Sequence, residues 1–174
     1  SEREDAERVI ERVEREIREL NRRDEELIRR VEKEIRRMLE EHKTLVKEVT
    51  RELDRLRREV SDKEEVLRRI EELLRRIHEL AKEILKRIKK LLKDLEESSK
   101  RSLEEIKRLL DEVRKRIDSE DLKRVDKKVR DVLRSNKELL DEARKRITKV
   151  LEEVRRSDEE VKRRAEKVLD EVRK

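Results

Sequence analysis

Apolar residues recur along this chain at intervals of 18 positions, and this spacing constrains the fold more than any other feature. Eighteen residues complete five turns of an undistorted α-helix, so residues 18 apart lie on the same side of it. In the first third, the apolar columns include Ile10, Ile28 and Val46; Val13, Val31 and Val49; Ile17, Ile35 and Leu53; and Leu20, Met38 and Leu56. The pattern predicts a long helix whose apolar stripe runs parallel to its axis, with little or no supercoil.

The same spacing continues through the rest of the chain. Examples are Ile70, Ile88 and Ile106 in the middle third, and Val125, Ala143 and Val161 in the last third. Two neighbouring columns in each third make a stripe wide enough to face two partner helices, as a bundle requires. We therefore predict an all-α fold, namely a single-chain antiparallel up-down-up three-helix bundle with straight, very long helices.

Two segments have the residues expected at helix junctions. In residues 60–64, Ser61 or Asp62 can cap a new helix, and in residues 117–121, Ser119 can cap one whose first turn is acidic. These junctions predict a single domain over residues 1–174. Its helices would span about 2–60, about 62–117 and about 120–173.

Four other segments also resemble helix breaks, which leaves six or seven shorter helices as an alternative. They are residues 21–24, 98–102, 135–136 and 157–158. A loop would reset the helical phase, yet the 18-residue columns pass through all four. Val154 and Val172, for example, keep their spacing across Ser157. The unbroken phase favours three helices.

Composition supports long helices and few loops. The chain has no Gly, Pro, Cys or aromatic residue, and 60% of its residues are charged. Gly and Pro are the usual turn residues, whereas Glu, Lys and Arg favour helix. High charge also suits disorder, but here the apolar residues are periodic and the 55 basic and 49 acidic residues are interleaved.

The same composition argues against most functional classes. Without Gly there is no phosphate-binding loop, and without Cys there is no thiol nucleophile. We expect no enzyme activity and no cofactor. The net charge of +6 is small, no aromatic residue could stack on a base, and no apolar run could span a bilayer. We therefore expect no nucleic-acid or membrane partner, a monomer that needs no other chain, no native compartment, and a soluble cytoplasmic product on recombinant expression.

Several polar residues occupy positions in the apolar columns. In the predicted topology, facing residues have numbers that sum to about 122 for helices one and two, and about 238 for helices two and three. This relation places the polar residues in two layers, one of Asp24, Ser99, Ser102 and Asn136, the other of His42, His78 and Ser157. We interpret both as hydrogen-bonding layers that fix register, because a slipped arrangement leaves buried polar groups unpaired.

Three chemical alternatives remain open for these residues. His42 and His78 could bind a metal, although zinc needs a third ligand that the chain does not offer. The two histidines could also act as a pH switch. Asp24 could act as a general base only if a cleft surrounded it. We assign no catalytic, metal or cofactor-binding residue.

The equal helices, the 18-residue columns, the Glu/Lys/Arg surface and the Ser-Asp junctions resemble those of de novo, parametrically designed helical bundles. The resemblance covers the whole chain. It implies an untwisted structural scaffold of extreme stability without a natural biochemical function, and we expect no melting below about 90 °C. The alternative is a coiled-coil or spectrin-like module that associates through its helices, and a lipid-binding amphipathic protein is a third possibility. Spectrin-like and lipid-binding helices usually carry aromatic residues, which this chain lacks.

Overall fold

The computed structural model describes residues 1–174 and contains three α-helices and no β-strand. Helix α1 spans Glu2–Glu59, α2 spans Lys63–Arg114 and α3 spans Ser119–Arg173, with α2 antiparallel to the other two. The predicted three-helix, all-α fold is confirmed. All four segments that resembled breaks lie inside helices, so the alternative with six or seven helices is wrong.

Each helix begins after a residue whose side chain caps it. The side-chain oxygens of Ser1, Asp62 and Asp118 accept hydrogen bonds from backbone N–H groups two or three residues ahead, at 3.3, 3.1 and 2.8 Å respectively. Such bonds satisfy N–H groups that have no partner within the helix. The cap of α3 is therefore Asp118 and not the predicted Ser119, which is the first residue of the helix itself.

The connections between helices are short and use ordinary backbone geometry. They comprise residues 60–62 and 115–118, and no residue in the chain has a positive φ angle. The connections consequently need no Gly, whose usual advantage is access to that region. Helix α2 ends at Arg114, earlier than predicted, because the N–H of Arg116 donates to the carbonyl of Val113 at 2.9 Å and closes a tighter turn.

The chain divides into two compact units, each containing one stretch of every helix. Unit 1 comprises Ser1–Glu32 and Leu91–Lys145, and unit 2 comprises Lys33–Lys90 and Arg146–Lys174. In each unit, apolar side chains from all three helices form the interior. None of the helices has the apolar length that crossing a membrane would require.

The two cores are built from the residues of the apolar columns. The core of unit 1 consists of Ile10, Val13, Ile17, Ile106, Leu109, Val113, Val125 and Val129. The core of unit 2 consists of Val49, Leu53, Leu56, Val66, Ile70, Leu73, Ile77, Val161, Ala165 and Val168. Burial of each Val, Leu or Ile contributes about 1.5–3 kcal/mol, which makes these stripes the main source of stability. Polar residues inside the same stripes therefore need a separate explanation.

Candidate functional site

Asp24 of α1 lies at the centre of a buried hydrogen-bonding layer in unit 1. This residue is only 5% exposed. Its Oδ1 accepts hydrogen bonds from the Oγ of Ser98 at 2.9 Å and of Ser102 at 3.2 Å, both on α2. Its Oδ2 accepts one from Nδ2 of Asn136 on α3, at 3.0 Å. These four residues, named the Asp24 layer, link all three helices of the unit.

Helical geometry explains why these residues meet. Asp24 occupies the apolar column of Ala6 and Val60, so its side chain points inward where a hydrophobic residue would otherwise lie. Ser98 and Ser102 are four residues apart and therefore lie on one face of α2. An ionised carboxylate can accept about four hydrogen bonds, so three donors satisfy most of its capacity. The donors are neutral, and no Lys or Arg forms an ion pair with Asp24.

The structure brings together three of the four residues predicted for this layer. Asp24, Ser102 and Asn136 meet, whereas Ser99 is half-buried and forms no hydrogen bond to the carboxylate. Ser98 takes its place because residue 99 lies about 100° further around the helix than residue 98. The spacing of four between Ser98 and Ser102 was the signal in the sequence that could have identified the correct serine.

His42 of α1 is the second polar residue buried in the α1 stripe, and it lies in unit 2. The residue is 1% exposed, and its Nε2 is buried without a hydrogen-bond partner. Burial lowers the pKa of His42 because the charged imidazolium loses its hydration, while the negative charge of Asp158 acts in the opposite direction. The net result is an imidazole held in its neutral form.

The other members predicted for the second layer do not join His42. His78 is exposed because the neighbouring Ile77 occupies the core position, and Ser157 is half-buried without a hydrogen bond. The predicted layer of His42, His78 and Ser157 is therefore not assembled. The polar residue that acts on His42 is Asp158 of α3, which sequence reasoning missed. Its position was marked, since Leu122 and Leu140 belong to the same 18-residue column.

The environment of Asp158 is only partly satisfied. Its Oδ2 lies 3.3 Å from Nζ of Lys162, one turn further along α3, while its Oδ1 is buried without a partner. A buried acceptor without a hydrogen bond costs about 1–3 kcal/mol. Both carboxylate oxygens of Asp24 accept hydrogen bonds. In the site around His42, by contrast, Nε2 of His42 and Oδ1 of Asp158 have no hydrogen-bond partner.

Another buried polar residue, Asp121, was not recognised in the sequence as part of the interior. It lies in the first turn of α3 and is 4% exposed. Its Oδ2 accepts a hydrogen bond from Arg3 of α1 at 2.6 Å, and its Oδ1 accepts one from Arg124 at 3.1 Å. It shares an 18-residue column with Leu139 and Ser157, which was the available signal. The two arginines make this carboxylate an ion-paired link between α1 and α3 within unit 1.

Ion pairs between neighbouring helices surround the core of unit 2. Glu34 of α1 accepts a hydrogen bond from Nε of Arg87 of α2 at 2.8 Å, and this bond lowers the pKa of Glu34. Glu52 accepts from Arg55 of the same helix at 2.6 Å and from Arg69 of α2 at 3.2 Å; these bonds, that of Arg55 foremost, lower its pKa. Exposed pairs of this kind contribute at most about 1 kcal/mol each, so they guide orientation more than stability.

No three or more His, Asp or Glu side chains are grouped so that they could hold a metal ion. The two histidines that could have started such a site differ in environment, since His42 is buried and His78 is exposed. The contacts observed among the buried polar residues are hydrogen bonds and ion pairs.

Comparison with known proteins supports the fold assignment. No protein-family model and no curated protein matches the chain. Among solved structures, one described as a computationally designed three helix bundle is similar, with a TM-score of 0.54 and 20% sequence identity. The alignment covers 98% of this chain and 90% of that one. At this identity the likeness concerns the fold alone, and the chain has the fold of a three-helix bundle.

Proposed function

We propose that this chain is a designed structural scaffold whose role is to hold one three-helix arrangement, without a natural biochemical reaction. The absence of Gly, Pro and aromatic residues, the regular apolar columns and the likeness to a computationally designed bundle support this proposal. The 18-residue spacing further supports helices with little supercoil, because a heptad spacing would impose a left-handed twist.

The observation that carries the proposal is the enclosure of the Asp24 carboxylate by its hydrogen-bond donors in unit 1. Both oxygens of Asp24 are engaged by side chains of the other two helices, and the residue is almost inaccessible. A general base must reach a proton of its substrate within hydrogen-bonding distance. A carboxylate that is surrounded in this way is suited to fix the positions of helices, and we expect no catalytic activity from it.

The Asp24 layer would give the scaffold its specificity. A shift or small rotation of α2 or α3 that moves the donors beyond hydrogen-bonding distance would leave a buried carboxylate without partners. Apolar side chains tolerate such shifts better, because contacts between them are less directional. On this account the layer selects one arrangement at some cost in stability.

The apolar surface supports a scaffold over an interaction module. The one large hydrophobic side chain that is exposed is Leu103, at 38%. A coiled-coil or spectrin-like module that associates through its helices would need a continuous apolar face for its partner. We therefore propose a monomer that requires no partner.

Light scattering coupled to size-exclusion chromatography tests this proposal. The expected result is a mass of 21.5 kDa at all protein concentrations, which is the mass of one chain. A mass that doubles, or that rises with concentration, would overturn the monomeric scaffold in favour of the interaction module. The variant Leu103→Lys serves as a control, because it removes the exposed leucine and should leave the mass of a monomer unchanged.

A further inference from the structure

Unit 2 contains an open groove between α1 and α2 that is rich in arginine. The groove has a volume of about 650 Å³, and Leu73 contributes to its lining. The remaining lining residues are all charged, and five of them are the arginines Arg51, Arg55, Arg68, Arg69 and Arg76. These five residues define the Arg groove.

The carboxylates of the groove pair with some of the arginines only. Glu52 accepts hydrogen bonds from Arg55 and Arg69, at 2.6 and 3.2 Å, and both arginines also form ion pairs outside the groove. Glu48 lies 3.7 Å from Arg76. These contacts account for three of the five guanidinium groups.

Arg51 and Arg68 are exposed and form no ion pair. The third carboxylate of the groove, Glu72, is also exposed and unpaired. The lining thus combines five positive groups with three negative ones, an excess of two formal positive charges. Two guanidinium groups in this groove remain available to a ligand.

We propose that the Arg groove binds a compact phosphate oligoanion through Arg51 and Arg68. A guanidinium group presents its N–H donors in a planar fork that matches two phosphate oxygens, and it loses its hydration more readily than an ammonium group. A short chain of linked phosphates can contact both groups at once. The lining has no aromatic residue on which a nucleobase could stack, so the recognised chemistry is that of the phosphates themselves. Glu72 opposes binding by repulsion.

Titration with inorganic tripolyphosphate at low ionic strength, followed by NMR of the arginine Nε–H groups, tests this site. The expected result is saturable binding, with the largest shifts at Arg51 and Arg68. The double variant R51Q/R68Q should weaken binding at least about fivefold, and Glu72→Gln should tighten it about twofold. Binding should also weaken as salt is added, since the contact is electrostatic.

The double variant R155Q/R163Q provides the matched control. Both arginines lie on α3, are exposed and form no ion pair, so the change in net charge is the same. The proposal expects this control to bind within about twofold of the parent chain. Equal weakening by the two double variants would overturn the proposal, because it would show attraction to the overall charge. Shifts spread evenly over all arginines, or no saturation, would overturn it as well.

Discussion

His42 is a buried titratable residue without a hydrogen-bond partner on Nε2, and its burial makes the free energy of unfolding depend on pH. Burial lowers its pKa in the folded chain, whereas the unfolded chain binds a proton near the ordinary value of about 6.5. Below that pH the unfolded state therefore binds more protons than the folded state. The free energy of unfolding should be highest above pH 6.5 and should fall as the pH drops towards the lower pKa of the folded chain.

The variant His42→Leu should remove this dependence on pH. It should also raise the free energy of unfolding by about 1–3 kcal/mol, because an unpaired polar group is replaced by an apolar one in an apolar column. Urea unfolding at several values between about pH 7.5 and pH 5 measures both effects. His78→Gln is the control, since it removes an exposed histidine and leaves His42 in place. An unchanged pH dependence in His42→Leu would assign the effect to other groups.

Individual polar residues were predicted less well than the columns they occupy. The columns correctly placed Asp24, Ser102 and Asn136 in the interior. The sums of residue numbers that pair facing helices are accurate only to a few residues, so they could not distinguish Ser98 from Ser99. His78 was assigned to the second layer from the edge of the apolar stripe, whereas Ile77 beside it occupies the core position. Asp121 and Asp158 were missed because acidic residues near helix ends and on surfaces are so common that their columns were overlooked.

At the scale of helices, the ends depend on single hydrogen bonds. The cap of α3 is Asp118, whose carboxylate accepts from a backbone N–H at 2.8 Å, while the adjacent Ser119 makes no such bond. A negative side chain at this position also interacts favourably with the helix dipole.

The variant Asp118→Ala should therefore lower the free energy of unfolding by about 0.5–2 kcal/mol, the usual contribution of an N-cap. Ser119→Ala is the matched comparison, one residue away and on the same exposed turn, and should change it by less than about 0.5 kcal/mol. Chemical denaturation of both variants decides the matter. A larger loss in Ser119→Ala than in Asp118→Ala would show that the serine caps the helix.

The helices themselves could be predicted because their signal is distributed over the whole chain. Eighteen-residue columns such as Val13, Val31 and Val49 repeat the same information, and one ambiguous residue does not change it. The ends of the helices depend on one or two residues each, so no repeated signal identifies them. Neighbouring polar residues such as Asp118 and Ser119 are almost equally good caps, and the choice depends on the geometry of the turn before them.

At the scale of the whole molecule, stability follows from long apolar stripes on helices with high intrinsic propensity. Contacts between neighbouring turns are local, and the buried side chains each contribute about 1.5–3 kcal/mol. We predict no cooperative loss of helical circular dichroism below about 90 °C. In guanidinium chloride we predict one transition for residues 1–174, as the single-domain prediction requires. Melting near 60 °C, or two separate transitions, would contradict these predictions.

We propose that the Asp24 layer selects one arrangement of the helices and performs no chemistry. The connections of residues 60–62 and 115–118 already limit large slips, so the layer would act against small shifts and rotations. Its removal as a complete set should leave a stable but less specific fold. Replacement of all four members by apolar residues avoids leaving any partner unsatisfied.

The most direct test is the ¹H–¹⁵N correlation spectrum of the variant Asp24→Leu, Ser98→Ala, Ser102→Ala and Asn136→Leu, compared with that of the parent chain. We expect the variant to remain helical, while amide signals near positions 24, 98 and 136 broaden or split into several sets. The parent chain should give one sharp set. A single sharp set from the variant as well would show that the apolar contacts alone select the arrangement, and that the Asp24 layer does not.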